Sequence, residues 1–431
     1  MKPVIRAVIF EDAGYKDLYP LTYLRPSYAI KCGAFSILEM LQRELGDGYE
    51  TSLHCRNYLS DYLRETHEGV LVNHIPAEDT LFINGRFLLS RKFISAFTVP
   101  ENLDKALLHD GVVVAAYISS GKIAPLNEKG GLRIEDNAFS TADFEGSGAA
   151  MENIQADAFA NDVIEYRYPW DAFSYFKYLL ERDIMWKVQQ SASLLHNFEG
   201  VKILSNENLV NINYGRAVNI YPNVIIDTKE GGVVIDDEAT IEPFVFLKGP
   251  VYIGKHAVVK SGSKIYGPCL IGDHSKVAGE ISSSIFHSYV NKQHDGFVGN
   301  SYICPMVNLG ADTVTSNLKN NYSSIKMDVN GEKVDTGTMF LGSIIGDHSK
   351  CGINTMLNTG SIIGIFANIF GGGFPSKQIG SFSWNAVGKE PEKYEITRAL
   401  ETAERVMSRR SIEITPAYEA LVRKLYEETA V

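Results

Sequence analysis

The residues best suited to chemistry gather in one stretch, "NKQHDGFVGNSYICPMVNLGADTVTSNLKNNY", residues 291 to 322. His294 stands there beside Asp295 and Gly296, with Asn308, Asn317 and Tyr322 downstream. An imidazole exchanges its proton close to neutrality, so a histidine in a groove can take a proton from an attacking amine or hydroxyl. A metal ligand and a plain polar loop residue are the competing readings. His256 and His274 lie 18 residues apart, and His348 shares their place in "IGKHA" and "IGDHS". Three stacked histidines would suit zinc, yet the same place suits polar turn residues.

The element that must carry these residues is a repeat. Ile235, Ile241, Leu247, Ile253, Val259, Ile265, Ile271 and Val277 recur every six residues. The fifth place of each hexad is small or apolar, as at Ala239, Val245, Val251, Ala257, Ser263, Cys269, Ser275 and Ile281. The beat resumes at Phe297, Ile303 and Leu309, and again at Ile345, Cys351, Leu357, Ile363 and Ile369. Six is neither a helical nor a simple strand period; it fits the hexapeptide left-handed parallel β-helix, three hexads to a triangular coil. Residues 282–296 and 315–340 read as interruptions, and loops leaving a regular scaffold are where chemistry concentrates. If they fall on adjacent coils, His294, Asn308, Asn317 and Tyr322 converge. The flat faces of such a solenoid predict a homotrimer.

The expected organisation is an α/β domain over 1–190 ending in a linker helix, the β-helix over 191–385, and a C-terminal helical segment over 386–431. The first part alternates strand-like runs ("VIRAVIF", "DTLFING", "GVVVAAYIS") with amphipathic stretches ("FSILEMLQREL"), which points to a mostly parallel sheet. "YPWDAFSYFKYLLERDIMWKVQQ" reads as one long helix leading into the array.

Composition narrows the function. The chain has 431 residues, 45% hydrophobic and 22% charged, an ordinary globular balance. Its net charge of -11, with no basic tract, argues against nucleic acid or an anionic membrane as partner. Five scattered cysteines form no C-x-x-C pair, and neither a signal peptide nor a membrane-length apolar run is visible, so a cytoplasmic protein is expected.

The stretch "HDGFVGNSYICPMVNLGADTVTSN" resembles the catalytic string of the bifunctional N-acetylglucosamine-1-phosphate uridylyltransferase / glucosamine-1-phosphate acetyltransferase family, and most of all its divergent branch. That string has the form H-x-x-Y-x-G, then V-N-I-G-A-G-T, then C-N-Y. The resemblance implies an enzyme of nucleotide-sugar synthesis that uses acetyl-CoA, an amino sugar phosphate and a nucleoside triphosphate. It makes His294 the general base, and Asn308, Asn317, Lys264, Tyr322 and Lys292 substrate-binding residues. It places Ala311 and Ser343, in "FLGS", against acetyl-CoA. Phe297 and Leu318 stand where the family has tyrosines, and Ser282 where it has a lysine.

The opening "LYPLTYLRPSYAIKCGAFSILEMLQREL" has the cadence of a sugar nucleotidyltransferase, a family whose chemistry implies Mg²⁺. Arg25, Lys31, Asn84 and Gly85 are the nucleotide-binding candidates this implies. "EDAGYKDLY" lacks the family's G-x-G-T-R, and "FINGRF" puts Arg86 where a metal aspartate is expected, leaving Glu11, Asp12 or Asp171 to replace it. The rival expectations are a nucleotidyltransferase using UTP or dTTP whose β-helix only oligomerises or regulates, a non-catalytic nucleotide-sugar scaffold, and a zinc enzyme.

Overall fold

The computed structural model describes residues 4–127, 138–154, 162–190, 198–206 and 212–429. It begins with a six-stranded mixed sheet. Strands Tyr49–His54, Ile5–Phe10 and Thr80–Asn84 run parallel side by side. Val112–Ile118 then pairs antiparallel with both Thr80–Asn84 and Lys105–His109, and Ala150–Asn153 closes the edge parallel to the latter. Helix Ile37–Leu45 starts with a capping box, Ser36 accepting from the Glu39 amide while the Glu39 carboxylate accepts from the Ser36 amide. The expected linker helix is two pieces, Asp171–Ser174 and Phe176–Gln190.

From Lys202 on, short strands stack in register as a parallel β-helix. The first face has nine parallel strands, the second nine with Glu392–Lys393 added antiparallel at its end, and the third six. All eight residues of the first hexad run, from Ile235 to Val277, are fully buried and fill the prism. Each inward aliphatic removed from water stabilises by roughly 1.5–3 kcal/mol, which is why the beat tolerates so little variation. The polar fourth residues serve the corners: His256, His274 and His348 take left-handed φ values of 54°, 58° and 58°. Their rings stack along the edge, His256 on His274 and His274 on Tyr289, each at 4.6 Å.

The structure corrects the first interruption. Residues 282–296 do not leave the array: Ile271 pairs with Phe286, Val277 with Lys292 and Ile281 with Val298. The coil is shorter than 18 residues there, so the six-beat slips while the stacking continues. Val298 is the inward residue, one place after the expected Phe297, which is only half-buried. The second interruption is a genuine excursion, carrying the hairpin Lys326–Val329 and Glu332–Asp335. Ile303 on one side of it still pairs with Ile345 on the other.

Outward residues of the first face decide how the parts meet. Val234, Tyr252, Leu270, Ile285, Tyr302 and Ile344 are buried in the same apolar cluster as the α/β residues. Polar contacts pin this docking. Arg25 bonds Asp347, the Lys31 amide donates to the Tyr302 hydroxyl at 3.0 Å, and Lys187 meets Asp236 at 2.8 Å. C-terminal helices Ile396–Ser408 and Pro416–Thr429 complete the structure. The second bridges both parts, with Tyr418 hydrogen-bonded to His348 at 2.8 Å and its ring 5.2 Å from that of Tyr62. No helix among the described residues is long and apolar enough to cross a membrane.

Candidate functional site

His294 lies at the corner between second-face strand Asn291–Lys292 and third-face strand Phe297–Gly299, exposed to solvent. Its position is set from below by Lys292. That side chain occupies an inward place in the column of Val277 and is fully inaccessible, and its ammonium donates to the carbonyls of His294 and Asp295. Burial lowers the Lys292 ammonium to about 8, with the charges of Asp295 and Asp312 resisting. Lys292 is therefore a prop for the corner, and burial corrects its expected role as a substrate ligand.

Above His294 sits Ala311. The Asp312 amide donates to the Asp295 carbonyl at 3.1 Å, so the two corners stack and Ala311 falls one coil over His294. On the third face, Lys264, Glu280 and Phe297 form one column, with Lys264 3.8 Å from Glu280. Asn317 donates to the Asn300 side chain at 2.8 Å, and its amide nitrogen shares the space over Gly299 with the Phe297 ring. Phe297, Asn300 and Asn317 thus form one surface after the His294 corner.

Other expected residues are placed elsewhere. Asn308 accepts from Asn291 at 2.6 Å on the second face, the opposite side of the corner from Asn317. Tyr322 is 67% exposed in the excursion, and no described hydrogen bond ties it to His294 or Asn317. Ser343 is fully buried in the first-face strand Ser343–Ile345, so its hydroxyl cannot meet acetyl-CoA in this conformation, a correction to that expectation.

In the α/β part, a cleft of about 280 Å³ is lined by Asp12, Gly14, Asp17, Arg86, Asp110 and Glu165 among others. It opens at the carboxyl ends of the strands Ile5–Phe10 and Thr80–Asn84, where ligands of such sheets bind. Arg86 dominates it. Its guanidinium grips both oxygens of Asp12, at 2.7 and 2.6 Å, and reaches Glu165 at 3.4 Å. Burial opposes its charge, but the bonds and charge of Asp12 prevail and raise its pKa. A Cβ on Gly14 would lie 2.5 Å from that guanidinium, so Arg86 covers the backbone of the expected phosphate loop. Asn84 also donates to Asp12, at 2.9 Å.

This arrangement does not fit Mg²⁺, because the carboxylate best placed to bind it is already held in two bonds by a cation. Among the described residues no three His, Cys, Asp or Glu side chains gather as a metal site. The Asp171 carboxylate turns back over the loop before its helix, accepting from the amides of Arg167 and Tyr168 at 2.8 Å each, and Glu11 is buried against Arg56 at 3.1 Å. Arg25 and Lys31 are corrected too, since neither lines the cleft: Arg25 bonds Asp347 and Lys31 bonds Glu39. Gly85 packs closely on Tyr28, where a Cβ would lie 2.6 Å from the ring.

Residues 7–191 match the family model "Sugar nucleotidyl transferase". That match covers less than half of the chain. A "Bifunctional sugar-1-phosphate nucleotidylyltransferase/acetyltransferase" of Sulfurisphaera tokodaii is 31% identical over 160 residues, 32% of this chain and 40% of that protein. A "Bifunctional protein GlmU" of Methanococcus vannielii is 28% identical over 214 residues, 50% of this chain and 44% of that protein. An "Acyl-[acyl-carrier-protein]--UDP-N-acetylglucosamine O-acyltransferase" of Campylobacter concisus is 34% identical over 59 residues, 14% of this chain and 21% of that protein. The chain thus spans less than half the length of the curated relatives it matches. The resemblance read from the sequence holds at this level: a match to the sugar nucleotidyl transferase model over the α/β part, a β-helix after it, and a bifunctional sugar-1-phosphate nucleotidylyltransferase/acetyltransferase among the relatives.

Sequence reading missed the basic side of the His294 corner. Lys276, Lys350, Arg409 and Arg410 line a groove with Gln293 and Asn308. "SRRS" was the visible signal, but its partner surface depends on where the C-terminal helix docks.

Proposed function

We propose that this chain is a cytoplasmic transferase of nucleotide-sugar synthesis, whose β-helix moves an acetyl group from acetyl-CoA to the amine of an amino sugar 1-phosphate. His294 is the general base: it takes the proton from the amine as the nitrogen attacks the thioester carbonyl, and the CoA thiolate leaves. Asn317 and Lys264, on the third face, hold the sugar and its phosphate, and Ala311 borders the acetyl group one coil away. The observation that carries this reading is the geometry of His294, a solvent-facing imidazole on a corner that a buried lysine fixes in place. The name of the Sulfurisphaera tokodaii relative, a nucleotidylyltransferase/acetyltransferase, agrees with it. The segments 1–190, 191–385 and 386–431 are its proposed domains. The third face, with Phe246 and Tyr266 paired at 5.8 Å and Phe244 68% exposed, is the proposed trimer surface.

The family match over residues 7–191 favours a second activity or binding role for the α/β domain, joining a nucleoside triphosphate to a sugar 1-phosphate or holding the nucleotide sugar. Its own residues offer the cleft at Asp12, and the Arg86 contact must open before a triphosphate can lie against Gly14.

The test is a pair of assays on the purified chain: thiol release from acetyl-CoA with glucosamine 1-phosphate, and pyrophosphate release from UTP or dTTP with N-acetylglucosamine 1-phosphate and Mg²⁺. Thiol release is expected. Robust pyrophosphate release without any thiol release would replace this reading with the nucleotidyltransferase one, and turnover in neither would favour a scaffold.

A further inference from the structure

The second face carries an outward column in register, Lys276, Asn291, Asn308 and Lys350. The C-terminal end of helix Ile396–Ser408 and the turn after it lie against this column, and between them runs a groove of about 250 Å³. Four cations line it, Lys276, Lys350, Arg409 and Arg410, and no aspartate or glutamate does. Among the described residues none of the four makes an ion pair, whereas Lys260, Lys264 and Arg405 nearby each have a carboxylate partner. In a chain with 52 acidic residues against 41 basic ones, four cations lining one groove without a counter-ion are an exception.

The cations disturb one another. Burial lowers the Lys276 ammonium, and the charges of Arg410, Lys260 and Arg409 lower it further; burial and Arg409 do the same to Arg410. Burial alone takes Lys350 down to about 8, and one of its protons goes to the His348 carbonyl at 2.8 Å. An anion in the groove would relieve all of these costs together. The remaining lining adds neutral polar side chains, Gln293 and Asn308, the first adjacent to His294. Two neighbouring guanidiniums suit the tetrahedral oxygens of phosphate, which they can engage in pairs.

The geometry points to this groove as a binding site for a phosphate-bearing polyanion, a diphosphate or a phosphomonoester, held between the β-helix and the C-terminal helix. It is distinct from the cleft at Asp12, and it lies across the His294 corner from Lys264 and Asn317. This inference stands apart from the acyl-transfer reading, since it concerns binding alone. The ligand chemistry has two sources within that reading, the diphosphate and 3′-phosphate of a CoA molecule or the phosphate of a sugar.

The test is calorimetric titration of the full chain with CoA, inorganic pyrophosphate and glucose 1-phosphate, each at low and moderate salt. At least one probe should bind, more weakly as salt rises. Arg409→Ala/Arg410→Ala should weaken that binding roughly 10- to 100-fold, as expected for losing charge-assisted hydrogen bonds. Arg405→Ala, in the last turn of the helix just before them but paired with Glu401, should bind like the parent. Thermal unfolding of each variant separates lost binding from lost structure. Preference for CoA assigns the groove to the acyl donor, and preference for glucose 1-phosphate assigns it to the sugar. Either supports the inference, as does pyrophosphate alone. No binding by any probe, or equal binding by the double variant, overturns it. A parent chain that binds phosphate here but releases no thiol would refute acyl transfer and leave the groove standing.

Discussion

The Lys292 ammonium, buried inside the prism, donates to the backbone carbonyls of His294 and Asp295, the latter at 2.9 Å. A lysine occupies an inward place that Val277 fills one coil earlier. Stability alone would favour an aliphatic residue there, because burying an ammonium is costly. The corner it holds is the one bearing the proposed base.

Lys292→Met should therefore separate stability from activity. Both native and unfolded chains hold the proton below pH 8. Between about 8 and the ordinary lysine value the unfolded chain binds more, so Lys292 makes stability rise with pH across that window. Urea unfolding at several pH values should show the parent gaining on Lys292→Met by about 1–3 kcal/mol from pH 8 to 10.5. Thiol release by the variant should fall roughly 10- to 100-fold from misplacement of His294. A constant stability difference, or unchanged turnover, would reject this role.

Arg86 and Asp12 form a buried bidentate pair. Arg86→Met leaves the Asp12 carboxylate unpaired and should destabilise the chain by about 3–5 kcal/mol. Adding Asp12→Asn should recover most of that loss. Denaturant midpoints of the two variants check this, and a loss under about 1 kcal/mol in the single variant would mean that the pair does not persist in solution.

His348 is buried between the Phe366 ring, stacked at 4.6 Å, and the Tyr418 hydroxyl. Burial, then the charges of Lys350 and Arg25, hold its pKa well below the usual histidine value. Above that usual value both states are neutral and the contact keeps its full worth. As pH falls below it the unfolded chain takes up the proton first, so stability drops by up to about 1.4 kcal/mol per pH unit. Hydrogen exchange should show helix Pro416–Thr429 losing protection between pH 6.5 and 5, and His348→Phe should flatten that dependence. Equal pH dependence in parent and variant would count against it.

The β-helix was legible because inward side chains on a short repeat have only one environment, so Ile235 to Val277 state the architecture directly. The shortened coil at 282–296 was not, because periodicity alone cannot tell a slipped beat from a loop, and Lys292 hides an inward place behind a charge. Tyr252, Leu270 and Tyr302 cover the docked face, yet alternation in a strand shows only that they point outward and not what meets them. That same docking draws Arg25 to Asp347, away from the nucleotide cleft where the family resemblance had put it. Arg86 was recognised as out of place, but its grip on Asp12 joins residues 74 positions apart and needed the fold to be seen.

The most direct test of acyl transfer is the rate of thiol release from acetyl-CoA, with glucosamine 1-phosphate as acceptor, by His294→Ala beside the parent chain. Loss of a positioned general base predicts a fall of roughly 10²- to 10⁴-fold, with thermal stability and oligomeric state unchanged. A variant that releases thiol at the parent rate would contradict the mechanism.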